Sequence, residues 1–287
     1  MKSLLIFSAV LLIAFAICIN TSAQSNKQKA MKTQSGYAAV NGINMYYEIH
    51  GKGKPIVLIH GGGSTIQSTF GKILPMLATH HKVIAMELQA HGRTSDRNTP
   101  ESFEQDASDV VALLNYLKID KADFLGFSNG GQTTMQLAIS HPGIVNKIII
   151  VSAFYNREGA VKGFFESMPH ATFNDMPAYL KQAYLKVNKD SAALLNMFEK
   201  DKARMVSFKG WSDEQIASIK APAFIMCGDK DVITPAHAAE MHQRIANSEL
   251  AILPGNHGSF IGEGMAANDN SKIPELAVAM IEEFLNK

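Results

Sequence analysis

Cysteine is nearly missing from this chain: Cys18 and Cys227 are the only two among 287 residues. Charge is also sparse, at 18% of residues, and it balances to a net +1. Each shortage excludes something. With Cys18 inside an N-terminal apolar run, a disulfide scaffold is ruled out, and a packed core must hold the fold. A charge balance near zero argues against nucleic-acid partners, which basic patches would mark. Phosphate-binding signatures are absent too. No Gly-Lys-Ser/Thr follows a glycine-rich loop, and no Gly-x-Gly-x-x-Gly occurs. Without His-Glu-x-x-His or a cysteine cluster, no metal is expected, and nothing calls for a cofactor.

What is present is apolar: 46% of residues are hydrophobic, enough for a well-buried globular core. The first such run needs separate treatment. Met1-Lys2-Ser3 is a short basic start, Leu4 to Ile19 is almost unbroken hydrophobic sequence, and Asn20-Thr21-Ser22-Ala23 is a small-residue exit. The run falls short of the roughly 20 residues of a membrane span. It is read as a signal peptide over 1–23, which predicts a periplasmic or secreted protein without a stable membrane anchor after cleavage. Ile17 ahead of Cys18 is too large for a lipoprotein signal. Residues 24–35 form a polar lead-in, and 36–287 a single domain.

The domain alternates strands and helices. Gly36–Val40 and Asn44–His50 are joined by Asn41-Gly42, a hairpin signal. Ile56–Ile59 lacks alternation, as expected of a strand buried on both faces. Phe70–His80 is expected to be helical, Lys82–Leu88 a strand, and Ser102–Leu117 an amphipathic helix. Further strands are expected at 122–127, 144–151, 223–227 and 250–253, with closing helices after Pro235 and over 273–284. This rhythm predicts an α/β fold with a mostly parallel central sheet flanked by helices. It breaks at about 153–219, after the sixth strand. That stretch is helical in propensity and rich in large apolar side chains, among them Phe164, Met168, Met176, Met197, Phe198, Met205 and Trp211. It is read as a lid over the edge of the sheet, with some of these residues forming its own core and others facing a substrate.

Chemistry concentrates at strand ends. Gly126-Phe127-Ser128-Asn129-Gly130 joins a buried strand to a helix, and Gly-x-Ser-x-Gly in that context marks a serine on a strained turn. Glycines two positions either side avoid collisions with the strand and helix. The helix start behind the serine favours developing negative charge. His60-Gly61-Gly62-Gly63-Ser64 ends another strand and leaves backbone N–H groups uncovered for an anion. A serine nucleophile needs a base, and the base needs a third group to orient it. The chain offers Ser128, Asp231 and His257 in that order, each just past a strand.

Taken together, His60-Gly61, Gly126-x-Ser128-x-Gly130, Gly228-x-x-Asp231-x-x-x-Pro235 and Gly255-x-His257-Gly258 resemble the α/β-hydrolase fold superfamily. The resemblance runs from about Ser35 to Lys287. It implies Ser128 as nucleophile, His257 as general base and then acid, and Asp231, favoured over Asp229, as the residue orienting His257. It implies the N–H groups of Asn129 and Gly62 as the oxyanion hole, with Gly63 as the alternative second donor. The turn after the fourth strand departs from the family: Ala90-His91-Gly92-Arg93-Thr94 stands where Gly-x-Gly-x-Ser is common, and His91 is read as a structural turn residue. A serine elbow disfavours the family's dehalogenases and epoxide hydrolases, which use aspartate there. The expectation is an exported serine hydrolase acting on a small or medium apolar carboxylic ester. A lactonase or carbon–carbon bond hydrolase would use the same triad, and a small-molecule receptor could retain it without turnover.

Overall fold

The computed structural model describes residues 33–287. The signal-peptide reading of 1–23, and the lead-in up to residue 32, lie outside the described residues. The end of the lead-in is already structured. Strand β1 spans Gln34–Val40, two residues earlier than expected, because Gln34 and Ser35 pair with Ile49 and Glu48 of β2 (Ile43–Gly51).

Six further strands complete one eight-stranded sheet: β3 (Pro55–Ile59), β4 (Lys82–Met86), β5 (Ala122–Phe127), β6 (Val145–Val151), β7 (Ala223–Gly228) and β8 (Ser248–Leu253). The spatial order is β1-β2-β4-β3-β5-β6-β7-β8. Pairing is antiparallel from β1 to β2 and from β2 to β4, and parallel from β4 through β8. The parallel strands therefore end on one edge, and Ser128, Asp231 and His257 all lie just past such ends.

Unbroken apolar runs build this sheet because both faces are covered. In β3, Val57 and Ile59 enter one core while Ile56 and Leu58 enter the other; β6 divides Ile148 and Ile150 from Ile149 and Val151 in the same way. A fully buried isoleucine contributes about 1.5–3 kcal/mol, so these central strands anchor the edge that carries the site.

The helices are α1 (Ile66–Phe70), α2 (Leu74–Leu77), α3 (Phe103–Tyr116), α4 (Asn129–Ser140), α5 (Phe164–Ser167), α6 (Ala178–Val187), α7 (Ser191–Ser207), α8 (Asp213–Ala217), α9 (Pro235–Arg244) and α10 (Ile273–Asn286). Helices α1, α2 and α10 cover one face, while α3, α4 and α9 cover the other. The single helix expected over Phe70–His80 is instead two short ones. Thr65 caps α1 through a reciprocal bond with Ser68 and starts it early, and Pro75 opens α2 after the Gly71 turn. Strand β4 stops at Met86, two residues before the expected end. Glu87 turns inward instead, accepting from the Arg93 N–H at 2.7 Å and from its guanidinium at 2.6 Å.

Helices α5 to α8 occupy the insertion between β6 and β7. It has a small core of its own: Met176, Leu180, Tyr184, Leu194 and Met197 pack together with Ala90 from the turn after β4.

Candidate active site

The turn between β5 and α4 has the backbone that its glycines require. Ser128 has φ 54° and ψ −122°, a positive-φ conformation outside the allowed left-handed region and strained for a residue with a side chain. Its N–H is held by the Val151 carbonyl at 2.9 Å, and its own carbonyl starts α4 by accepting from Gly131 and Gln132. The flanking glycines are sterically forced. A Cβ on Gly126 would strike the Gly130 carbonyl, and one on Gly130 would strike the Ile59 carbonyl at the end of β3. Close packing of α4 on two neighbouring strands thus raises the serine above the sheet.

Asp231 and His257 come together from the loops after β7 and β8. His257 Nδ1 lies 2.7 Å from Asp231 Oδ1, and the Asp231 side chain is fully buried while that of His257 is 20% exposed. The other carboxylate oxygen accepts from Ser152 Oγ at 2.5 Å and from the Gly228 N–H at 3.1 Å; Oδ1 also accepts from Val232 N–H at 2.7 Å. Burial opposes ionisation here. The hydrogen bond and charge of His257, then the Ser152 and Gly228 bonds, outweigh it and hold the carboxyl below the usual aspartate range. With Nδ1 occupied by Asp231, Nε2 is the ring nitrogen left to handle a proton. Asp229 instead accepts from the Gly255 N–H at 2.7 Å, a bond between the two loops.

The glycine loop after β3 is braced from below. His60 donates Nδ1–H to the Gly61 carbonyl at 2.7 Å and accepts from the Leu88 N–H at 3.0 Å, so one neutral tautomer satisfies both. Burial, helped by the nearby His91 charge, pushes its pKa down to about 3. Of the two glycines considered as donors, Gly63 is engaged: its N–H donates to Asp201 Oδ2 at 2.6 Å. The Gly62 N–H has no acceptor among the described residues. Asn129 opens α4, so its N–H is one of the helix's orphan donors. Gly62, Asn129, Ser128 and His257 line one cavity of about 380 Å³.

The remaining walls of that cavity come largely from the insertion. Phe164, Met168, Met176, Met197, Phe198 and Met205 face it. Phe208 and Trp211, equally large and equally near in sequence, pack instead against Phe103 of α3 in the main core. Spacing alone could not separate these two groups, because both belong to the same apolar-rich insertion.

Sequence reasoning missed several residues. Ser152, at φ 53° just past β6, is one, and its only signal is a serine ending a buried strand. The larger omission is a buried ionic cluster against the glycine loop, whose Asp201 also lines the cavity. His91 Nδ1 lies 2.8 Å from the Gln89 carbonyl and Nε2 2.9 Å from Asp201 Oδ2. Both of these partners are acceptors; the Gly63 N–H also lies 3.2 Å from Nε2, but the closer carboxylate assigns both ring nitrogens as donors and His91 as an imidazolium. Burial alone would lower its pKa, but the charge and hydrogen bond of Asp201 outweigh burial and raise it to about 9. Arg204 pairs with Asp201, lies 2.7 Å from Asp106 Oδ2 and 3.6 Å from Glu101 Oε2. His91 is therefore structural, as expected, but it abuts the site rather than lying apart from it.

A strained serine hydroxyl, a carboxylate-bound imidazole and two N–H groups around one apolar cavity suit acyl transfer. The comparisons place the chain among hydrolases of one fold family. Residues 54–189 match the family model described as alpha/beta hydrolase fold. The serine hydrolase BPHL of Homo sapiens is 30% identical over 247 residues, 78% of this chain and 80% of that protein. The 2-hydroxy-6-oxo-2,4-heptadienoate hydrolase of Pseudomonas putida is 26% identical, over 74% of this chain and 84% of its own. Among solved structures, the enol-lactonase from Burkholderia xenovorans LB400 superposes with a TM-score of 0.68 at 22% identity, covering 88% of this chain and 100% of that one.

Proposed function

The chain belongs to the α/β-hydrolase fold family and is a hydrolase, and from that premise we propose that it cleaves carboxylic esters of small or medium apolar substrates through Ser128, His257 and Asp231. The observation that carries this reading is the 2.7 Å pair of His257 with the buried Asp231, opening into the cavity that Ser128 lines. Ser128 Oγ attacks the ester carbonyl carbon while its proton passes to His257. The carbonyl oxygen becomes an oxyanion, held by the N–H groups of Gly62 and Asn129. As the tetrahedral species collapses, the ester C–O bond breaks and the leaving alkoxide takes the proton from His257. Water then gives a proton to His257 and attacks the acyl-serine, and the released serine oxygen recovers that proton as the acid departs. Asp231 stays ionised throughout and stabilises the imidazolium.

The substrate class follows from the walls. Methionine and phenylalanine side chains adapt to apolar groups of varied shape, and the cavity volume suits a compact acyl or alcohol part. Ser128→Ala should abolish ester turnover while leaving the melting temperature within a few degrees of wild type. Comparable turnover by that variant would refute the mechanism. A panel of linear esters, lactones and vinylogous diketones assigns the leaving group. Faster cleavage of the carbon–carbon bond in the last class would favour a carbon–carbon bond hydrolase. Saturable binding of every member without turnover would indicate a receptor.

A further inference from the structure

The buried cluster beside the glycine loop has a consequence for the oxyanion hole. Asp201 lies in α7, within the insertion and far along the chain from the loop that it touches. Its Oδ2 takes the Gly63 N–H at 2.6 Å and the His91 N–H at 2.9 Å. Its Oδ1 is held by Arg204 and by the Asn129 side-chain amide at 3.4 Å. One carboxylate thus contacts both segments that would supply oxyanion donors, the Gly62–Gly63 loop and the start of α4. The fit is tight: a Cβ on Gly62 would come within 2.5 Å of Asn129 Nδ2 and 3.2 Å of Asp201 Oδ2.

We infer that Asp201 is a positioning residue, through which the helical insertion holds the Gly62 and Asn129 N–H groups in register with Ser128. By engaging the neighbouring Gly63 N–H, the carboxylate fixes the peptide plane between Gly62 and Gly63. The Gly62 N–H lies in the preceding peptide plane, whose Gly61 carbonyl accepts from His60 at 2.7 Å and from the Ser64 N–H at 3.3 Å, so both planes that meet at Gly62 are anchored. A negative charge this close to an oxyanion would oppose catalysis if left alone. Here His91 and Arg204 each supply a positive charge to the same carboxylate, so it acts as a hydrogen-bond acceptor without imposing a net negative field. Seating of α7 over the sheet and assembly of the oxyanion hole are consequently one event. This inference rests on the proposed acyl-transfer reading.

The test compares Asp201→Ala and Asp201→Asn with wild type and Ser128→Ala, using one linear ester. Asp201→Ala should lower kcat about 100-fold with KM changed less than about threefold, as expected when an oxyanion donor is displaced and substrate binding stays intact. Asp201→Asn retains an acceptor for the Gly63 N–H and should recover most of that loss, to within about tenfold of wild type. A separate readout covers the case in which the alanine variant fails to fold. In glycine-15N-labelled protein the Gly63 amide proton should resonate far downfield, and it should move upfield in Asp201→Asn. Unchanged kcat, a loss confined to KM, or a Gly63 resonance indifferent to residue 201 would overturn the inference. If Ser128→Ala keeps its activity, the acyl-transfer reading itself fails. If Ser128→Ala is inactive and the Asp201 variants match wild type, only the positioning role fails.

Discussion

Two carboxylate–histidine pairs reach the cavity that Ser128 lines, one through His257 and the other through Asp201, and their surroundings differ. Asp231 and His257 meet at 2.7 Å, Asp201 and His91 at 2.9 Å, so distance does not distinguish them. Surroundings do. His257 has one nitrogen on its aspartate and is partly exposed to the cavity, so its other nitrogen can take and return a proton. His91 has only 1% of its side chain exposed, and its second nitrogen is engaged by the Gln89 carbonyl. Its raised pKa, about 9, keeps it charged at neutral pH. The same two residue types thus leave a ring nitrogen available for proton transfer in one pair and none in the other.

The Asp231–His257 pair should show the largest effect. Asp231→Asn keeps the shape but offers His257 an amide, which favours the wrong tautomer and removes the charge that stabilises the imidazolium. A loss in kcat of about 10⁴-fold is expected, with folding retained. Steady-state kinetics on a linear ester checks this, and a loss below about tenfold would show that His257 needs no oriented partner.

The Asp201–His91 pair should report instead through stability. His91 binds its proton more tightly in the folded protein than in the unfolded chain, so protonation stabilises the fold. That contribution is complete below about pH 6.5 and disappears as pH rises through about 9. The groups facing His91 are Asp201 and Arg204 from α7, Glu101 from the segment before α3, Asp106 from its first turn, and His60 from the glycine loop. Burial pushes the Glu101 carboxyl up to about 8 against the pull of Arg204, so its ionisation also weakens the fold as pH rises. Wild type should therefore melt higher than His91→Gln at pH 7, and the gap should shrink by pH 10. Thermal melts at both values decide the matter; a gap independent of pH would mean that His91 contributes packing alone.

The contrast also explains what could be read before the structure. Ser128, Asp231 and His257 lie on loops at strand ends, where glycines mark tight turns and side chains have few structural reasons to be polar. Each carries a local signal. Asp201 has none. It sits inside Glu199-Lys200-Asp201-Lys202, a charged stretch of α7 that resembles a solvated helix face, and only the packing of α7 on the glycine loop turns it inward. The sheet was legible because β3, β5, β6 and β7 are apolar without alternation. Shifts of a few residues at β1 and β8, and the splitting of one expected helix into α1 and α2, arose where pairing partners or caps act from outside the segment. Which aromatic residues of the insertion face the cavity was invisible for the same reason: Phe198 and Phe208 differ in their neighbours, not in their spacing.

The smallest effect tests whether the comparison names the right aspartate. Asp229 lies two residues from Asp231 on the same loop, exposed, with its carboxylate on the Gly255 N–H rather than on His257. Asp229→Ala removes one turn hydrogen bond between the loops after β7 and β8. Such a bond contributes about 1 kcal/mol, so the melting temperature should fall by a few degrees, with kcat within about threefold of wild type. The small kinetic change has a physical basis. Asp231 is held independently by Ser152, Gly228 and Val232, so His257 keeps its partner when the neighbouring turn loosens. A collapse in kcat comparable to that of Asp231→Asn would mean that the turn, rather than this buried hydrogen-bond set, fixes the carboxylate beside the imidazole.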